Sequence, residues 1–173
     1  MELKNYQEQS ARTLPDLGSQ GANGIHMGAG IASEFGEMLE GMERNDLPNI
    51  IEEHGDGNWY IAGVCTIYGF SYETLYNETQ PAGSEIHVMS IFKLLDLFKA
   101  EFAYGKAIDL ILLRKYLGEV LSVFMKAAVE KEFNQLESLQ KNIDKLKQRF
   151  PDKFDADKAI NRDVVVEREI LES

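Results

Sequence analysis

The sequence predicts an all-α bundle. Apolar residues recur at three- and four-residue intervals along most of the chain, and no segment shows sustained alternation closed by hairpin turns. The prolines stand only at 15, 48, 81 and 151, as punctuation between the periodic stretches. Helices are expected near 2–13, 25–44, 48–69, 85–103, 106–132, 134–149 and 156–172. Ile31, Phe35, Met38, Leu39 and Met42 form the stripe of the second, and Ile50, Ile51, Trp59, Ala62 and Cys65 that of the third. Leu94, Leu95, Phe98 and Phe102 mark the fourth, and Leu110, Leu113, Leu117, Val120, Leu121 and Phe124 the fifth. Asp46, two before Pro48, suits the first turn of the third helix; Ser84-Glu85 precedes the fourth, and Asp155 and Asp157 the last. The glycine-rich stretch from Leu17 to Gly24 reads as a loop, and residues 71–84, with Pro81 and Gly83, as a linker between two helical pairs.

The two pairs carry a faint echo. Ser33-Glu34-Phe35-Gly36-Glu37 faces Ala100-Glu101-Phe102-Ala103-Tyr104, and Glu53-His54-Gly55-Asp56 faces Tyr116-Leu117-Gly118-Glu119. A degenerate repeat and coincidence between similar helices both account for it.

Charge narrows the partners. The chain has 173 residues, enough for one domain with a real core, with 29 acidic against 18 basic residues, a net charge of −11 and a pI near 4.7. No Lys/Arg run stands clear of acidic neighbours, which argues against nucleic acid and against anionic membranes. No apolar run approaches the ~18–20 residues of a membrane span, and the start Met1-Glu2-Leu3-Lys4-Asn5 does not read as a signal peptide. A single cysteine, Cys65, excludes an internal disulfide framework and a cysteine-based zinc site; it reads as core filling. A cytoplasmic, reducing compartment is the expectation.

The sharpest feature is Glu34-x-x-Glu37, fifteen intervening residues, then Glu53-x-x-Asp56. Three-residue spacing puts the carboxylates of each pair on one helix face. Gly30, Ala32, Ser33 and Gly36 around the first pair let another helix approach, and Gly55 and Gly57 flank the second at a cost of roughly 1 kcal/mol each in helix propensity. If the helices pack antiparallel, four anions converge and require counter-charge, which Mg²⁺ or Mn²⁺ supplies through oxygen ligands. A di-iron site would add a Glu-x-x-His pair, which the chain lacks. Spacing alone leaves the other reading open, two solvated carboxylate pairs on exposed helix faces.

Beyond the carboxylates, several segments share a resemblance. They are Tyr6 with Ala11-Arg12-Thr13, and His26 ahead of Gly30-Ile31-Ala32-Ser33-Glu34-Phe35-Gly36-Glu37. Glu53-His54-Gly55-Asp56-Gly57-Asn58-Trp59-Tyr60-Ile61-Ala62 follows, then Asn142-Ile143-Asp144-Lys145-Leu146-Lys147-Gln148-Arg149-Phe150-Pro151-Asp152-Lys153-Phe154, and Asn161-Arg162-Asp163 with Glu167-Arg168. Together they resemble the all-α nucleoside triphosphate pyrophosphohydrolases, the superfamily of MazG and the dimeric dUTPases, in their phage and bacterial MazG-like form. The resemblance covers roughly half the chain, at both ends. It implies a single MazG-like domain over 1–173, a helical bundle with an inserted second helical pair or degenerate repeat at 78–141. Ser33 stands where the family usually has a further glutamate, and Gly57 where it has an apolar residue.

The resemblance also implies an activity: Mg²⁺-dependent hydrolysis of nucleoside triphosphates, dNTPs foremost, to the monophosphate and pyrophosphate, with Mn²⁺ as a substitute ion. Glu34, Glu37, Glu53 and Asp56 would be the metal ligands, and Glu37 would also orient the attacking water or accept its proton. Asn142, Lys145 and Arg149 become triphosphate contacts, with Lys153 and Arg162 further candidates; without the resemblance Lys141, Lys145 and Arg149 read as a solvated amphipathic face. A base-specific dUTPase or dCTPase, and a non-catalytic regulatory or assembly protein on the same scaffold, are the alternatives. Trp59 reads as core or as the border of a base pocket, His26 as a ligand contact or a helix-start packing residue, and Arg12 as a contact to nucleotide or to a partner subunit. Family members build sites across subunit contacts, so a homodimer or higher homo-oligomer is expected.

Overall fold

Local capping fixes where the helices begin and end. The computed structural model describes residues 1–155, 157–158, 161 and 164–172. Among these residues it is all-helical, with eight helices: α1 (Leu3–Ala11), α2 (Gln20–Arg44), α3 (Leu47–Tyr68), α4 (Tyr72–Glu78), α5 (Glu85–Tyr104), α6 (Leu110–Glu130), α7 (Gln135–Arg149) and α8 (Val164–Glu172). Asn45 turns into the left-handed region at φ 52° to close α2, and the Asp46 carboxylate accepts from the Asn49 N–H to open α3. Asp109 opens α6 in the same way, accepting from the N–H groups of Ile111 and Leu112, so α6 starts four residues later than expected.

These two-residue and five-residue turns fold α2 back on α3 and α5 back on α6. The hairpins pack together through α2 against α5 and α3 against α6, while α1 and α7 lie on α3, and α8 on α7 and α3. The core is built from the expected stripes: Ile31, Met38, Ile50, Ala62, Cys65, Leu94, Phe98, Leu113, Leu117, Val120, Leu121 and Phe124 are all buried.

Three expectations need correction. The stretch from Leu17 to Gly24 is loop only as far as Ser19, whose hydroxyl accepts from the Ala22 N–H and starts α2. Its glycines serve packing: a Cβ on Gly21 would stand 2.9 Å from the Phe102 Cα, and one on Gly24 or Gly28 would strike the Phe98 ring. The expected linker at 71–84 contains α4, capped by Ser71 and pinned by buried Tyr72 and Leu75. Leu39, Phe102 and Leu110, expected in the core, are 44%, 58% and 48% exposed. For Phe102 the reason is visible: the α5 backbone, rather than the ring, meets Gly21.

The expected last helix, 156–172, falls partly on residues outside the described ones; α8 is its described part, and Asp155 accepts from the N–H groups of Asp157 and Lys158 ahead of it. In the second hairpin, Glu101 accepts from the Tyr68 hydroxyl and Glu119 from the Ser90 hydroxyl, so each has its own partner.

Candidate metal centre and adjoining cavity

Glu34 and Glu37 lie one turn apart on α2, and Glu53 and Asp56 one turn apart on the facing α3. Glu34, Glu37 and Glu53 each place a carboxylate oxygen within 4.8 Å of the others. The helical spacing and the antiparallel hairpin together produce this convergence. Asp56 stands beside the triad with separate partners: its Oδ1 accepts from Asn142 Nδ2 and its Oδ2 from Lys145 Nζ, each at 2.5 Å.

Hydrogen bonds orient the carboxylates. Asn49 Nδ2 donates to Glu53 Oε1 at 2.7 Å, and Ser33 Oγ donates to Glu37 Oε1 at 3.1 Å. Ser33 therefore holds Glu37 from one turn away on α2. Lys145 also reaches Glu52 Oε1 at 3.0 Å, and its side chain is only 1% exposed.

The electrostatics show a demand for positive charge. Burial, then the charges of Asp56 and Glu53, push the Glu34 carboxyl up to about 10. Burial likewise pushes Glu53 up to about 7, although the hydrogen bond from Glu34 partly offsets it. A proton held between Glu34 and Glu53 thus does what a bound cation would do. An all-oxygen donor set, partly buried and short of counter-charge, fits a hard divalent ion and offers no soft ligand.

The carboxylates open into a cavity of about 640 Å³. Glu34, Glu37, Asn49, Glu52, Glu53 and Asp56 line it on the α2–α3 side. Thr13, Pro15 and Leu17 from the α1–α2 loop, with Trp59, Phe150 and Phe154, give it an aromatic and apolar wall. Trp59 Nε1 donates to Thr13 Oγ1 at 3.0 Å, and the Phe150 and Phe154 ring centroids are 5.5 Å apart. His26 and Tyr60 also line the cavity, packed edge-to-face at 5.8 Å, and burial lowers the His26 pKa. A second cavity of about 400 Å³ between α4 and α6 presents Arg114 and Lys115, but these already pair with Glu78 and Glu119.

The expected phosphate contacts divide. Asn142 and Lys145 are buried and engaged with Asp56, outside the cavity lining. Arg149 lines the cavity, with its guanidinium bound in two places by Glu167 of α8, Nε to Oε1 at 2.7 Å and Nη2 to Oε2 at 2.5 Å. Lys153 is exposed and off the lining, and Arg162 lies outside the described residues. Arg12 donates to backbone carbonyls of 150–152 rather than facing the cavity. Trp59 is 9% exposed and serves both core and cavity wall.

Sequence reasoning missed Asn49, Glu52, Thr13, Phe150 and Phe154. Asn49 had a local signal, four residues before Glu53 and so on its helix face. Glu52 had the same signal, four residues before Asp56. Thr13, Phe150 and Phe154, which stand in the segments that carry the resemblance, meet the site only through the tertiary fold.

No protein-family model, curated protein or solved structure matches the chain. Among the described residues, no helix is long and apolar enough to cross a membrane.

Proposed function

We propose that this protein is a divalent-metal-dependent nucleoside triphosphate pyrophosphohydrolase, acting on dNTPs foremost. The observation that carries the reading is one cavity that joins a converging carboxylate triad to an aromatic wall. A polyphosphate bridged by metal suits the first, and a flat nucleoside base suits the second. The motif resemblance adds to this reading.

Glu34, Glu37 and Glu53, with Asp56 beside them, would hold Mg²⁺ or Mn²⁺. When bound, the ion neutralises phosphate oxygens and lowers the pKa of a coordinated water. The chain's own groups do the rest. Glu37 is exposed to the cavity and oriented by Ser33, which suits it to align the attacking water and take its proton. Asn142 and Lys145 hold Asp56 in place and cancel part of its charge. Arg149, the Lys/Arg side chain that lines the cavity, would meet a phosphate in exchange for Glu167. Trp59 and Phe154 flank the base and exclude water around it.

The test is pyrophosphate release from a panel of NTPs and dNTPs with Mg²⁺. The expected outcome is release by the wild type and loss in Glu37→Gln. Activity confined to dUTP or dCTP would narrow the enzyme to a base-specific one. No release from any nucleotide, with Glu37→Gln behaving as wild type, overturns the enzyme reading in favour of a regulatory or assembly role. The homo-oligomer belongs to the same proposal and is read by sedimentation velocity.

A further inference from the structure

Arg12 and Thr13 are consecutive residues that reach the two sides of the aromatic wall. Arg12 follows α1, and its Nη1 lies 2.6 Å from the Phe150 carbonyl oxygen, 3.2 Å from that of Pro151 and 2.8 Å from that of Asp152. These carbonyls emerge where α7 ends, a position whose unsatisfied acceptors and negative dipole favour a cation. Thr13 Oγ1 accepts from Trp59 Nε1 and donates to the Ser10 carbonyl. One dipeptide therefore ties the 150–154 segment, which supplies Phe150 and Phe154, to the helix that supplies Trp59. Arg12 itself does not line the cavity. The carboxylate side hangs on α2 and α3, to which none of the three Arg12 contacts runs.

We propose that Arg12 is a positioning residue for nucleoside recognition. It fixes Phe150 and Phe154 in the cavity wall that they share with Trp59 and so sets affinity for the base-bearing part of the ligand, leaving the polyphosphate and metal side unchanged. The proposal rests on the nucleotide reading above.

Trp59 is the only tryptophan, so its fluorescence reports on the wall directly. The experiment titrates wild type, Arg12→Ala and Arg12→Lys with an α,β-imido deoxynucleoside triphosphate and with inorganic triphosphate, both with Mg²⁺. Loss of charge-assisted hydrogen bonds should weaken nucleotide binding roughly tenfold in Arg12→Ala. Inorganic triphosphate affinity should stay unchanged, and Arg12→Lys should recover part of the loss. In turnover, KM should rise while kcat holds. Arg12→Lys, which keeps the charge but loses the planar fork, decides the matter if Arg12→Ala does not fold: it should bind the nucleotide more weakly than wild type and the triphosphate equally. Equal weakening of both ligands, or of neither, overturns the proposal. Amide exchange over 150–154 separates the two levels of inference. If the wild type binds no nucleotide while Arg12→Ala still speeds that exchange, the nucleotide reading falls and the clamp on the wall stands. If exchange does not change, the clamp falls.

Discussion

Lys145 Nζ lies 2.5 Å from Asp56 Oδ2, in a side chain 1% exposed, and a second carboxylate, Glu52, stands 3.0 Å from the same ammonium. Burial alone would lower the Lys145 pKa, but the charges of Asp56 and Glu52 outweigh it and raise it. Removing one partner of such a cluster leaves buried charge uncompensated, at about 3–5 kcal/mol. Lys145→Met should therefore lower the urea midpoint sharply. Adding Asp56→Asn should cost less than the sum of the single changes, because the two residues share one interaction. Additive losses would show that the pair is not coupled.

The raised carboxyls of Glu34 and Glu53 make metal-free stability fall with rising pH. The folded state binds more protons than the unfolded chain above the ordinary carboxyl value of 4.5, through about 7 for Glu53 and about 10 for Glu34. Mg²⁺ bound as proposed would replace those protons, so its stabilising effect should be large near pH 8 and shrink towards pH 5.5, where protons compete. Thermal melts with and without Mg²⁺ at both pH values check this. Glu34→Gln should flatten the metal-free profile on the alkaline side and remove most of the Mg²⁺ response. An equal Mg²⁺ shift at both pH values would count against a site at these carboxylates.

His54 acts in the opposite sense. It is fully buried against Phe133, its Nδ1 is 2.9 Å from Ser138 Oγ, and Asn58 Nδ2 is 3.4 Å from its Nε2. Burial lowers its pKa from 6.5 to about 3. Its contribution is complete above the unfolded value of 6.5 and is lost as pH falls towards 3, at about 1.4 kcal/mol per unit. His54→Gln should remove this acid limb. Subtracting its urea midpoints from those of the wild type between pH 7 and 5 isolates the term, since the carboxylate effect is common to both. A difference that does not vary with pH would mean that His54 titrates normally.

What was legible in the sequence is what local geometry determines. Glu34-x-x-Glu37 and Glu53-x-x-Asp56 announce shared helix faces, and Asp46 beside Pro48 announces a helix start, because both effects act within one or two turns. The α4 helix was not legible: it has seven residues, too few for a periodic signal, and Tyr72 secures it through a hydroxyl bond to Asn58. Lys145 reads as a phosphate contact with the resemblance and as a solvated cation without it, and neither reading reaches its partner Asp56, 89 residues away. Arg12 and Phe150 are separated by 138, and their contact is invisible to any pattern read along the chain.

Gly55 tests whether the α3–α7 crossing sets the carboxylate geometry. A Cβ there would stand 2.9 Å from the Asn142 Cβ and 3.2 Å from the Ser138 carbonyl oxygen. The Gly55 carbonyl also accepts from the buried Tyr6 hydroxyl at 3.3 Å, which closes the crossing from the α1 side. Neither neighbour is the flexible end of a side chain, so Gly55→Ala must push α7 outward. Overpacking of this kind costs about 1–3 kcal/mol, more than the roughly 1 kcal/mol that alanine returns in helix propensity. Asn142 and Lys145 ride on the displaced helix and lose their reach to Asp56 before the Glu34, Glu37 and Glu53 triad is disturbed. The expected result is a lower Tm together with weaker Mn²⁺ binding, measured by calorimetry below the melting transition. Gly36→Ala on α2, where an added Cβ meets nothing within 4 Å, should leave Mn²⁺ affinity unchanged and raise the Tm through helix propensity alone. A Gly55→Ala protein with lowered Tm and unaltered Mn²⁺ affinity would show that α7 supports the fold without tuning the site.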